Sequence, residues 1–117
     1  MDWTITWSYF IGAAFLTNAM PHLMSGVMGR TFQSPFATPR GVGHSSSTVN
    51  MVWGFFNLVV AYVLLCRTGN FDLHATADVV PAGAGILISG VLMARRFGRF
   101  NGGNSPPANR SGAADNA

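Results

Sequence analysis

The chain has 117 residues, enough for one domain, and only 9% of them are charged, against about 25% in an average soluble domain. Lysine and glutamate are absent, the seven basic residues are all Arg, and the net charge is +3. This composition lacks the charged surface of a soluble domain. It also lacks the basic, aromatic-interleaved surface of a nucleic-acid binder, so no nucleic acid is expected as a partner.

The first element in chain order is an uncharged run from Trp3 to Gly29. A helix needs about 20 residues to cross a bilayer core, and this run predicts one over residues 4–28. Its n-region, Met1-Asp2-Trp3, has no positive charge, so a signal peptide is not expected. Asn18, Pro21 and His22 interrupt its apolar surface. Pro21 cannot donate to the carbonyl of Thr17, which predicts a kink there. Asn18 and His22 lie four apart and share a face with Gly26.

A loop over residues 30–48 follows. Pro35 and Pro39 disfavour a regular helix, and Gly41 and Gly43 permit tight turns. Arg30, Arg40 and His44 form a candidate site for an anionic ligand or lipid headgroup. The Gly-x-Gly there has no preceding strand and no third glycine, so it is not a dinucleotide fingerprint. Ser47 or Thr48 is placed to cap the next helix.

The second helix is expected over residues 49–66. Asn50, Trp53, Gly54 and Asn57 recur at helical spacing on one face. Counting depth from the helix ends puts His22 level with Asn57, which predicts a hydrogen bond between them with Asn18 nearby. The polar cluster Asn18, His22, Asn50 and Asn57 is the first candidate for function, because ionisable and polar groups inside a membrane are costly. The third helix is expected over residues 76–96, with Asp78 in its first turn, where the helix dipole favours a carboxylate. Gly85, Ser89 and Gly90 on this helix, with Gly26 and Gly54 on the others, are small enough for close helix packing in lipid. Residues 97–117, rich in Asn, Gly, Pro and Ser, predict a disordered tail.

Together these elements predict an all-α bundle of three transmembrane helices. A barrel is excluded by length, and open strands by the cost of unpaired backbone groups in lipid. Alternate sides of the membrane hold six Arg against one, which predicts the N-terminus outside and the C-terminus in the cytoplasm.

Catalytic and metal signatures are missing. Cys66 is the sole cysteine, which rules out an intrachain disulfide and a Cys-rich zinc site. His44 and His74 are expected in loops on opposite sides, so they do not join His22 in a metal or bis-histidine haem site. Three serines beside His44 lack an acid partner for hydrolase chemistry. Enzyme activity is left open and is not the favoured reading, and no cofactor or metal is expected.

The combined string Asn18-x-x-Pro21-His22, Phe32-x-x-Pro35-Phe36-Ala37-x-Pro39-x-Gly41-x-Gly43-x-Ser45 and Asn50-x-x-Trp53-Gly54-x-x-Asn57 resembles a family of short, uncharacterised bacterial integral membrane proteins. The resemblance covers the first half of the chain. It implies a multi-pass protein of the bacterial inner membrane and adds no reaction or cofactor. Three functions fit these readings. The first is a self-associating or accessory component that forms a homo-oligomer or docks on a larger membrane partner among membrane lipids. The second is a transport or channel subunit lined by the polar cluster. The third is a membrane subunit that binds a lipid, quinone or haem through His22 and Arg40.

Overall fold

A computed structural model describes residues 2–105. Its order is α1 (Trp3–Val27), β1 (Phe32–Gln33), β2 (His44–Ser45), α2 (Ser47–Tyr62), one π-turn (Val63–Arg67) that prolongs α2, and α3 (Thr76–Asn101). The chain is mostly helical, as the apolar runs predict. The tail from residue 106 onward lies outside the described residues.

The ends of the elements follow from local chemistry. Asp2 caps α1, its carboxylate accepting from the backbone N–H of Thr4 and Ile5. The helix continues through Pro21 without interruption. Ser46, one residue before the expected positions, caps α2 by accepting from Val49 N–H. The third helix runs five residues past its expected end. It stops where Gly102 takes the left-handed conformation at φ 77°, the usual geometry of a glycine that ends a helix. Residues 97–101 of the expected tail are therefore helical.

α1 is the central helix. α2 and α3 pack on it rather than on each other, α2 antiparallel and α3 parallel. Close approach depends on missing side chains. A Cβ on Gly54 would lie 2.7 Å from the backbone nitrogen of Leu23 on α1. One on Gly85 would run into the Phe10 carbonyl oxygen. Gly26 meets the backbone of Met51 in the same way. Gly90 is looser, with Thr17 Cγ2 at 3.8 Å, and the Ser89 hydroxyl bonds back to the Gly85 carbonyl within its own helix. Where the π-turn begins, the Ser8 hydroxyl donates to the Leu64 carbonyl at 2.6 Å.

Burial is inverted relative to a water-soluble protein. Among the described residues, the buried apolar side chains are Tyr9 and five alanines. The buried polar side chains are Ser8, His22, Gln33, Ser34, Ser45, Asn50 and Asn57. Val52, Phe55, Phe56, Val80, Leu87 and Leu92 are each more than half exposed.

Two helices, Ser47–Arg67 and Thr76–Asn101, are long and apolar enough to cross a membrane. α1, expected as a third span, is not one of the two, because polar residues interrupt its apolar run. It carries Asn18, Pro21 and His22 besides several hydroxyls.

The loop after α1 is ordered rather than irregular. Phe32 pairs with Ser45 and Gln33 with His44 in a two-residue antiparallel ladder, which the sequence reading did not anticipate. Ser34 organises the turn inside it. Its hydroxyl bonds the Ser45 hydroxyl and accepts from Phe36 N–H, and its carbonyl accepts from Gly41 N–H. The loop also reaches the far end of α3. Gln33 and Asn101 exchange two amide hydrogen bonds of 3.2 and 3.3 Å, and Arg96 donates to the Gly41 carbonyl. One end of the molecule thus gathers Arg30, Arg40, Arg95, Arg96 and Arg99. Asp2, Asp72 and Asp78 lie at the other end with Arg67.

Candidate functional site

The polar cluster lies along the seam between α1 and α2, in a register one turn away from the sequence expectation. His22 does not bond Asn57. Its Nδ1 lies 2.7 Å from Asn50 Oδ1, and Asn18 Nδ2 donates to Asn57 Oδ1 at 3.0 Å. The cause is Gly54, which seats α2 against Ala19 and Leu23. That contact puts Asn57 opposite Asn18 and Asn50 opposite His22.

Asn50 is the most constrained of the four, at 0% exposure. Its Nδ2 faces the carbonyls of Phe32, Ser45 and Ser46 at 3.2, 3.1 and 3.0 Å. Carbonyls only accept, so the amide NH2 must point to them and Oδ1 must point to His22. An Oδ1 acceptor requires His22 Nδ1 to carry the hydrogen. In the neutral imidazole this fixes the tautomer with its hydrogen on Nδ1 and its lone pair on Nε2.

That Nε2 has no hydrogen-bond partner among the described residues, although His22 is only 2% exposed. Phe32, Trp53 and Phe97 set their rings edge-on to the imidazole at centroid distances of 5.6, 6.4 and 6.4 Å. Together they fix its plane.

His22 lines a cavity of about 360 Å³ between the three helices and the loop. Asn18, Trp53 and Phe97 form its inner wall, and Arg40 and Arg96 stand on its rim. Neither guanidinium has a carboxylate partner among the described residues, where the one ion pair joins His74 and Asp72. Trp53 contributes a second unsatisfied group. Its indole Nε1 is buried without a hydrogen-bond partner, a state that costs about 1–3 kcal/mol. The cavity is thus lined by His22, whose Nε2 the protein leaves without a partner, and by two Arg side chains without a carboxylate partner.

Of the expected loop site, the structure brings only Arg40 to this cavity. Arg30 follows the C-terminal turn of α1 and is exposed. His44 is exposed and shares a hydrogen bond with Thr31. His74 is at the opposite end, beside Asp72. Arg96, Gln33 and Ser34 were missed as site residues. The Arg95-Arg96 pair makes Arg96 visible in the sequence, but its position after an apolar run speaks only to topology.

The Asn18–Asn57 pair offers a direct check of the register. A double-mutant cycle with Asn18→Ala and Asn57→Ala should give a coupling of about 0.6 kcal/mol, and no more than roughly 2, in detergent unfolding. The corresponding cycle between His22 and Asn57 should give none.

No family model matches the chain, and searches of curated proteins and solved structures return no match.

Proposed function

We propose that this chain is a multi-pass protein of a bacterial inner membrane that binds a membrane-borne small molecule in the His22 cavity. Three spanning helices are supported by where the polar groups point. α1 turns Ser8, His22 and its glycines inward, while Ile11, Met20, Met24 and Val27 face out. Hydropathy averaged along α1 mixes these two faces. The surface the bundle offers to its surroundings is the apolar one, as a lipid solvent demands.

The orientation follows the same logic. With Arg30, Arg40, Arg95, Arg96 and Arg99 at one end, that end belongs in the cytoplasm and the N-terminus outside. In a Cys66→Ser background, Asp72→Cys should react with a membrane-impermeant maleimide applied to spheroplasts. Ser105→Cys should react only after permeabilisation. The reverse pattern would invert the topology, and labelling of both from outside would remove the bundle.

The observation that carries the binding reading is His22, whose Nε2 has no hydrogen-bond partner among the described residues, in a cavity lined also by two guanidiniums without carboxylate partners. His22→Phe should keep the fold while abolishing retention of any molecule that copurifies with the wild type, read by native mass spectrometry. Equal retention by both proteins would sink the assignment.

A channel lined by the four polar residues has less support, because Asn50 and Asn57 are consumed in pairing inside one chain. Docking on a membrane partner or on a second copy is favoured by a different observation. Gly83 on the outer side of α3 has nothing within 4 Å of its missing side chain. Gly26, Gly54 and Gly85, in contrast, are filled from within.

A further inference from the structure

The cavity does not end at its polar rim. Phe36, Val49, Val52, Trp53 and Phe56 enclose a second hollow of about 630 Å³ that is almost wholly apolar. Trp53 is a wall of both spaces. A third hollow, walled by Pro35, Phe36 and Arg40, adjoins both, sharing Arg40 with the first and Phe36 with the second. Phe36 and Phe56 hold the Trp53 ring from two sides, at centroid distances of 5.1 and 5.6 Å. The apolar groove lies on the outward side of α2, where Val52 and Phe56 are more than half exposed. A chamber that holds His22 and Asn18 beside two Arg, and an apolar groove, therefore share one indole as a wall.

This shape fits one kind of occupant. The geometry points to an anionic phospholipid of the cytoplasmic leaflet whose headgroup carries a free hydroxyl. The phosphate sits between Arg40 and Arg96, the headgroup hydroxyl donates to His22 Nε2, and one acyl chain follows Phe36, Val52 and Phe56. Each half of the ligand answers a specific feature. Two guanidiniums without carboxylate partners favour a phosphate over a neutral quinone, and repel the added cation of a zwitterionic headgroup. A lone pair whose tautomer is fixed by Asn50 can only accept, so the deep end of the headgroup must supply an O–H or N–H donor. An apolar groove open to the side suits a chain that stays partly in the bilayer. This inference rests on the membrane reading above and on its orientation.

The test uses the full chain in mild detergent, titrated with phosphatidylglycerol or phosphatidylcholine and weighed by native mass spectrometry. One phosphatidylglycerol should bind with a preference of about tenfold or more over phosphatidylcholine, which has the same phosphate but brings a second cation beside the two Arg and no O–H for His22. The double variant Arg40→Gln/Arg96→Gln should lose that preference. Arg30→Gln/Arg99→Gln removes equal charge from the same end but away from the cavity, and should keep it. His22→Phe should narrow the gap between phosphatidylglycerol and phosphatidic acid, which has no headgroup alcohol.

Three results would overturn the assignment. One is equal binding of the two lipids. Another is a preference lost equally in both double variants, which is general attraction to a basic surface. The third is displacement by glycerol 3-phosphate or inorganic phosphate, or a copurified haem or quinone, either of which identifies a different ligand. Membrane fractions washed with alkaline carbonate separate this failure from that of the underlying reading. Extraction of the chain by the wash removes the membrane assignment itself, whereas retention without lipid preference removes the lipid alone.

Discussion

Replacing Asn50 by Leu is expected to destabilise the bundle by at least about 3 kcal/mol, since each buried polar group left without a partner costs about 1–3. Asn50 serves His22 and the carbonyls of Phe32, Ser45 and Ser46 at once. It joins α1, the start of β1 and the start of α2 in one knot. The informative companion is Asn50→Asp. That change preserves the shape and the acceptor facing His22, but turns an oxygen towards three carbonyl oxygens. It should be at least as harmful as Leu. Thermal unfolding in detergent, followed by circular dichroism, measures both. A wild-type transition for Asn50→Asp would mean that the amide orientation, and the His22 tautomer deduced from it, is wrong.

The second large effect is expected at Gly85. Valine there would collide with the Phe10 carbonyl, and the Ala13 Cβ already lies 3.0 Å from the position of a bare Cβ. Both neighbours belong to a helix and cannot swing aside as a side-chain tip would. Overpacking of this kind costs about 1–3 kcal/mol, and α3 should move off α1. Because Met93, Arg96 and Phe97 close the cavity from α3, Gly85→Val should weaken ligand retention as well as stability. Gly83→Ala, on the outer side of the same helix, is the control. It should be neutral or more stable by up to about 1 kcal/mol, since it meets no neighbour and removes a helix-interior glycine. Equal effects at the two positions would contradict the packing of α3 on α1.

Much of this architecture is legible in the sequence, because its signals are local. Long uncharged runs mark the three helices. Asn18, His22, Asn50 and Asn57 stand out against apolar surroundings, and the Arg distribution marks one end. What escapes depends on distance along the chain. His22 meets Asn50 rather than Asn57 because one glycine, Gly54, sets the sliding position of two antiparallel helices. Depth counted from helix ends carries an error of a turn, and a turn decides the partner. Arg96 enters the site only when a loop 55 residues earlier folds back to it, and no periodicity records that. The extra turn of α3 had a readable cue in Gly102, but the Asn-Gly-Gly run resembles a linker as much as a helix stop.

The bonds between Gln33 and Asn101, and between Gly41 and Arg96, also have a meaning in time. Synthesis runs from the N-terminus, so α1 and α2 can meet and close their polar seam while the last helix is still inside the ribosome. The loop between them then lacks its bonds to α3, and the chamber beside His22 lacks a wall. Only the final turns of α3, emerging last, supply Met93, Arg96, Phe97 and Asn101 together. The cavity is therefore completed at the end of synthesis rather than gradually. A chain stopped before residue 93 should carry the buried asparagines yet, on the proposed role, hold no ligand.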